Sequence, residues 1–312
     1  MIKKIAVIGT GVIGSGWIIR FLAHDKKVIA FDKDIRLKKK IILEIKRTWP
    51  YVKKLFNKKK LNLKNFKYVT SLKEALKDAD FVQECAPENY ILKIKLMKMI
   101  GKYSKSNAII SSSSSGLLPS KIYSKCKNPS RTIIAHPFNP VYMIPGVELV
   151  PGKKTKKNIL NKANKFYKSI SMNPIMVKKE LPGYLSDRLQ EALWREALHI
   201  VNEGYATTKD LDRAIEDGPG LRWSLMGTFL TFHLAGGKAG MKHMLEQFGP
   251  ALKLPWTKLK APKLSKKLSS RVIIGTRNQA KGKSVEKLSK IRDEYLVKLQ
   301  KLRKKYEDKI RK

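Results

Sequence analysis

At 312 residues, with 42% hydrophobic residues and no apolar run near the ~18 residues that span a bilayer, the chain is long enough for two folded domains and reads as cytoplasmic, with no membrane partner. Its formal net charge of +42 raises nucleic acid as a partner, since a clustered basic face is the footprint of such binding. Yet 54 of the 67 basic residues are lysine, scattered from Lys3 to Lys312 with no zinc-finger, basic-zipper or aromatic-sheet motif. Specific nucleic-acid binding is therefore not expected, and a basic, non-enzymatic binder stands as the rival class.

The first element organises the rest. Ile5 to Ile8 has the length of a buried parallel strand, and Gly9, Gly11 and Gly14 follow at the G-x-G-x-x-G spacing. In that pattern the first glycine allows a tight turn, the second lets the backbone approach a pyrophosphate, and the third lets the new helix sit close to the strand. An apolar helix pattern (Trp17, Ile18, Phe21, Leu22) and a second strand, Lys27 to Phe31, complete the unit. Asp32 then stands where the adenosine ribose needs an acceptor for its 2′-hydroxyl. A carboxylate there repels a 2′-phosphate and favours NAD over NADP, although Lys33 and Arg36 lie close enough to keep that choice open.

Residues 35–60 read as helix, broken or kinked at Pro50, with a second helical piece ending near Lys60. A strand over 66–70, a helix capped by Ser71 and a strand over 80–85 come next. Glu84 and Glu88 fall at the carboxyl side of that strand, where ligands sit in a doubly wound sheet. After a helix over 89–100 and a strand over 108–111 come five serines, Ser111 to Ser115, closed by Gly116. They are either a flexible loop or small hydroxyl residues that approach nicotinamide and substrate together. A strand over 131–135 delivers His136-Pro137-Phe138-Asn139-Pro140, and 147–150 sets Glu148 in an apolar strand, where a lone carboxylate needs a partner. His136 is the natural one, so the two form either a base with its orienting carboxylate or a buried structural pair. Cys85, Cys126 and the five histidines lack metal-ligand spacing, and no metal is expected.

A helix over 155–170 and a strand over 174–177 close a dinucleotide domain expected over 1–180, and KKELPG at 178–183 links it to a helical domain over 181–312. In the second domain 187–202 is long and amphipathic, Thr208 caps a helix to Glu216, and 217–220 turns the chain. The aromatic- and glycine-rich stretch 221–240 reads as buried core or dimer face, and basic helix with periodic leucines runs from Lys260 onward. The expected fold class is α/β, a Rossmann-type dinucleotide-binding domain followed by an all-helical C-terminal domain.

With the fingerprint, Glu84, the serine run, His136, Asn139, Pro140 and Glu148 in place, the chain resembles the L-3-hydroxyacyl-CoA dehydrogenase family over nearly its full length. SSSSSGLLPS (111–120), HPFNPVYMIPGVELV (136–150), DRLQEALWREALHIVNEG (187–204), GPGLRWSLMGTFLTFHLAGGKAGMKHM (218–244) and QFGPALKLPWTKL (247–259) are similar to the branch of that family that oxidises L-carnitine. The resemblance implies NAD as cofactor, His136 as general base oriented by Glu148, and Ser115 as the substrate-binding serine at the reacting oxygen. It also implies Asn139 on the substrate side, fixing the His136 loop, Glu84 near the nicotinamide and its ribose, and a homodimer through the helical domain. One departure matters: Asp187 stands where acyl-CoA enzymes usually carry asparagine, which disfavours a CoA thioester and suits a cationic substrate. Oxidation of the 3-hydroxyl of L-carnitine to 3-dehydrocarnitine is the expected reaction, with 3-hydroxybutyryl-CoA as the alternative substrate. Trp194, Trp223, Phe229 and Phe232 are candidates to meet the trimethylammonium group, and Arg195 or Arg222 the carboxylate. Some members of the branch carry a thioesterase domain after the dehydrogenase; this chain ends without one, and dehydrogenase activity alone is expected.

Overall fold

The computed structural model describes residues 2–311 apart from Lys59, Leu259, Ala261 and Leu264. Met1 and Lys312, the ends of the two expected domains, and Leu259, the last residue of the 247–259 piece, lie outside the described residues. By its contacts the chain forms two units, Met1–Arg188 and Leu189–Lys312.

The first unit is built on a sheet that has eight strands among the described residues: β1 (Lys4–Ile8), β2 (Lys27–Phe31), β3 (Phe66–Val69), β4 (Phe81–Glu84), β5 (Ile109–Ser112), β6 (Thr132–Pro137), β7 (Gly146–Val150) and β8 (Asn173–Met176). Their order is β3-β2-β1-β4-β5-β6-β7-β8. The strands from β3 to β6 pair in parallel, β7 runs antiparallel to β6, and β8 returns parallel to β7. Ile5, Ala6, Val7 and Ile8 are all buried, so both faces of β1 are covered, which is why the strand reads as an unbroken apolar run. Helices α1 (Val12–Ala23), α2 (Leu37–Phe56), α3 (Leu72–Leu76), α4 (Tyr90–Tyr103), α5 (Pro119–Ile122) and α6 (Lys157–Ser169) connect the strands.

Helix α1 buries Trp17, Ile18, Phe21 and Leu22, and the Trp17 and Phe21 rings stack with centroids 5.3 Å apart. Between them on the helix lies Arg20, fully buried without a carboxylate on its guanidinium. Its nitrogens donate instead to the carbonyls of Val141 (2.7 Å), Ile144 (3.1 Å), Ile170 (3.1 Å) and Ser171 (3.0 Å), and burial pulls its pKa down to about 9. The side chain thereby ties α1 to the loop that follows β6.

Helix α2 has no break at Pro50, one of the two outcomes expected there, since it runs through the proline as one helix. A proline inside a helix forfeits a backbone hydrogen bond and crowds the preceding turn. Here Ile41 and Ile45 before it and Val52 after it lie buried on one stripe, and that packing holds a single helix across the defect. The helix stops at Asn57, which adopts a left-handed conformation (φ 50°), rather than near Lys60.

The second unit is helical. Helix α7 (Ser186–Glu203) leads from the first unit, and α8 (Thr208–Glu216), α9 (Pro219–Trp223), α10 (Thr228–Ala235), α11 (Met241–Phe248), α12 (Lys266–Ala280) and α13 (Val285–Arg311) follow. The cap of α8 is Thr207, one residue earlier than expected, in a reciprocal box with Asp210. Pro219 starts α9 rather than completing a turn, as suits a residue whose missing N–H costs nothing at the first helical position. The stretch 221–240 is not a buried core of the single chain: Phe229 is 85% and Leu234 60% exposed.

Candidate active site

The β1–α1 turn shows why its three glycines are glycine. Gly9 has φ +93°, and a Cβ there would come within 2.8 Å of the Cys85 carbonyl. A Cβ on Gly14 would lie 2.0 Å from the Gly9 carbonyl, so the helix can approach the strand only without it. Gly11, by contrast, would meet nothing within 4 Å, which leaves open space beside the backbone. No side chain caps the start of α1, so its first N–H groups stay available to an anion. Gly9, Gly11 and Asp32 line a cavity of about 910 Å³, together with Glu88, Ser113 and Ser115.

Asp32 is set for its role by its neighbours. One carboxylate oxygen accepts from the Thr10 amide (3.0 Å) and hydroxyl (2.9 Å), and the other from the Lys33 amide (2.8 Å). Arg36, which in sequence could have read a 2′-phosphate, has its guanidinium committed to Asp34 at 2.8–3.0 Å. An open backbone, an uncapped helix start and an oriented acid at the end of β2 fit NAD.

Glu84 corrects the sequence reading. Its carboxylate is fully buried and is not part of the cavity lining, with Lys93 Nζ at 2.9 and 3.1 Å, the Ala86 amide at 2.6 Å and the Ser112 hydroxyl donating to it. Parallel strands buried on both faces point alternate residues into opposite layers, and a charge pointed inward persists only when paired and hydrogen-bonded. Glu88, four residues on, is the one of the two glutamates that lines the cavity. It accepts from the Ser114 hydroxyl and from the amides of Ser115 (2.9 Å) and Gly116 (3.3 Å), and so fixes the serine turn.

The serines are not a flexible loop. Ser111, Ser112 and Ser114 are buried. Ser113 accepts from Trp17 Nε1 (3.0 Å) and Gln83 Nε2 (2.8 Å), while Tyr167 donates to Gln83 Oε1 at 2.6 Å. Ser115 follows them, exposed and on the cavity wall.

His136 and Glu148 meet because β6 and β7 are antiparallel in a register that places them directly opposite. His136 Nδ1 lies 2.8 Å from Glu148 Oε2. The same oxygen accepts the Ser186 hydroxyl at 2.6 Å, and Oε1 accepts the amides of Leu185 and Ser186, each at 2.9 Å. Burial works to raise the Glu148 pKa, but the hydrogen bonds from His136 and Ser186 outweigh it and hold the carboxyl below its usual range. Glu148 therefore stays an anion that orients the imidazole through Nδ1, which leaves Nε2 as the ring nitrogen away from it. On that side Asp187 Oδ1 lies 3.8 Å away.

Asn139 stands exposed three residues past His136. The remaining substrate candidates, Trp194, Trp223, Phe229, Phe232, Arg195 and Arg222, all belong to the second unit. Arg195 there pairs with Glu191 one turn away. Ser186, which completes the hydrogen bonds to Glu148, is the residue that sequence reasoning missed. Among the described residues no group of histidine, cysteine and acidic side chains could hold a metal ion, and no helix is long and apolar enough to cross a membrane.

Residues 4–181 match the NAD-binding domain of 3-hydroxyacyl-CoA dehydrogenase, and residues 183–275 match the C-terminal domain of the same enzymes. The chain belongs to the 3-hydroxyacyl-CoA dehydrogenase family. Within it, the chain is 53% identical to the L-carnitine dehydrogenase of Oceanobacillus iheyensis, over 95% of this chain and 97% of the relative. It is 49% identical to that of Bacillus cereus (98% and 94% covered) and 46% to that of Staphylococcus epidermidis (97% and 94%). In fold it is similar to the crystal structure of FHMPC 5-dehydrogenase, an NAD+-dependent dismutase, with a TM-score of 0.81 at 22% identity, covering 97% of this chain and 99% of that one. The (S)-3-hydroxybutyryl-CoA dehydrogenase of Ralstonia eutropha shares the fold at a TM-score of 0.63 and 24% identity, covering 90% and 95%.

Proposed function

We propose that this chain oxidises the 3-hydroxyl of L-carnitine to 3-dehydrocarnitine with NAD. The observation that carries this reading is the trio at β6, β7 and the start of α7: a histidine oriented by a carboxylate on one nitrogen and faced by a second acid, Asp187, on the other. The L-carnitine dehydrogenases that match nearly the whole chain support the substrate.

In this reading Gly9, Gly11, Gly14 and Asp32 hold the dinucleotide, with Glu88 in the place first given to Glu84. NAD, when bound, supplies the acceptor for the hydride leaving C3. His136 Nε2 takes the hydroxyl proton, and Glu148 keeps the imidazole in the tautomer that can do so and stabilises the cation that forms. Ser115 donates to the reacting oxygen, and Asn139 fixes the loop that carries His136. Asp187 faces the quaternary ammonium, which has no N–H and is recognised through negative charge and aromatic faces. Residues 1–180 serve as the NAD-binding domain and 181–312 as the substrate and dimerisation domain. The exposed apolar side chains of 221–240 support a homodimer, and two free cysteines suit a reducing, cytoplasmic setting.

The test is His136→Gln. NAD affinity, measured by calorimetry, should stay near wild type, while turnover falls by about two to four orders of magnitude, the usual worth of a general base. Near-normal turnover would remove His136 from the mechanism and leave its pair with Glu148 structural.

A further inference from the structure

We infer that Ser186 is a positioning residue that sets how readily His136 gives up and takes its proton, acting through Glu148. The inference rests on the reading of His136 as the base.

Glu148 is fully buried and its two oxygens share four donors: Oε1 takes the Leu185 and Ser186 amides, and Oε2 takes His136 Nδ1 and the Ser186 hydroxyl. The two amides belong to the backbone at the start of α7, where the helix dipole favours a negative charge. They fix where the carboxylate stands. The hydroxyl does something different, because it lands on the oxygen that faces the histidine. Two donors on one oxygen divide its negative charge between them, so the Ser186 hydroxyl draws away part of the charge that would otherwise stabilise a protonated His136.

Groups from several neighbouring elements face the imidazole. Glu148 comes from β7 and Asp187 from α7, and the Phe138 and Tyr184 rings each lie 5.7 Å away, centroid to centroid. The Tyr184 phenol donates to the Leu117 carbonyl at 2.6 Å, and burial pushes its pKa upward, so it stays neutral. Deleting the Ser186 hydroxyl acts on Glu148, whose Oε2 becomes a stronger partner for the imidazolium. The histidine then holds its proton to higher pH.

The experiment is kcat/KM for L-carnitine against pH in wild type, S186A, S186C, S186T and H136Q. In S186A the acidic limb should move up by about 0.5–1 pH unit, with the high-pH plateau changed less than about threefold. S186C, a weaker donor of similar bulk, should move it by a smaller amount, and S186T, which restores the hydroxyl, should return it. A limb that H136Q abolishes but that S186A and S186C leave in place would overturn the inference alone. So would a plateau that falls in S186A without displacement of the limb, the mark of a merely structural hydroxyl. A wild-type profile with no acidic limb, or a limb that persists in H136Q, would overturn the base reading and this inference together.

Discussion

Asp187 stands 3.8 Å from His136 Nε2, the nitrogen that takes the hydroxyl proton in the proposed reaction, with its side chain 31% exposed. In L-carnitine the ammonium sits on the carbon next to the reacting one, so the proposed reaction puts that charge, and not a distant end of a long substrate, beside an acid this close to His136 Nε2. Asp187→Asn should therefore raise KM for L-carnitine by about five- to thirtyfold, the equivalent of roughly 1–2 kcal/mol for a partly solvated charge contact, and change kcat by less than about threefold. An unchanged KM, or a loss confined to kcat, would move Asp187 out of substrate recognition. At this scale the sequence was legible where a residue's partner is dictated by chemistry: a carboxylate in an apolar strand needs a cation or donors, and His136 met Glu148. It was not legible where two residues of one type compete. Glu84 ends β4 and Glu88 follows four residues on, and only the facing of each side chain shows that Glu84 pairs with Lys93 in the core while Glu88 holds the serine turn. Ser186 was invisible for a related reason, since its partner lies 38 positions upstream on another element.

The elements themselves were read well where periodicity is long and buried. The β1–α1–β2 unit, the capped start of α3 and the approximate span of α7 all follow from local pattern and capping chemistry. Two features depended on tertiary packing and did not. The antiparallel turn of β7 against β6, which brings the histidine and its carboxylate together, is a register and not a composition. The course of α2 through Pro50 is the other: local propensity argues for a stop, while the stripe of Ile41, Ile45 and Val52 argues for continuing. Pro50 is itself exposed, so replacing it removes little packing. Pro50→Ala should stabilise the protein, by roughly 1–3 kcal/mol from the recovered hydrogen bond and relieved crowding, as read from urea unfolding. A lower midpoint would show that the helix depends on the proline.

At the scale of the whole molecule, charge and composition pointed one way and the site another. A net charge of +42 invites a polyanion, yet the chain builds an NAD cavity, an oriented histidine and an acid beside it. Lysines scattered along the chain from Lys3 to Lys312 add to solubility and general attraction for anions without forming a reader of any one of them. The apolar stretch 221–240 was legible as something that must be covered, but whether its own chain covers it depends on tertiary packing that no local pattern reveals. The substrate is where charge and site diverge most sharply: the phosphates of a CoA thioester suit the lysines, and the small cationic hydroxy acid suits Asp187. The direct test is kcat/KM with NAD for L-carnitine, D-carnitine and 3-hydroxybutyryl-CoA under one set of conditions. L-Carnitine should exceed the other two by at least about tenfold, because only that enantiomer can point its hydroxyl at His136 and its ammonium at Asp187 while C3 faces the nicotinamide. A thioester ahead of L-carnitine by about the same factor would contradict the proposed substrate and the role of Asp187.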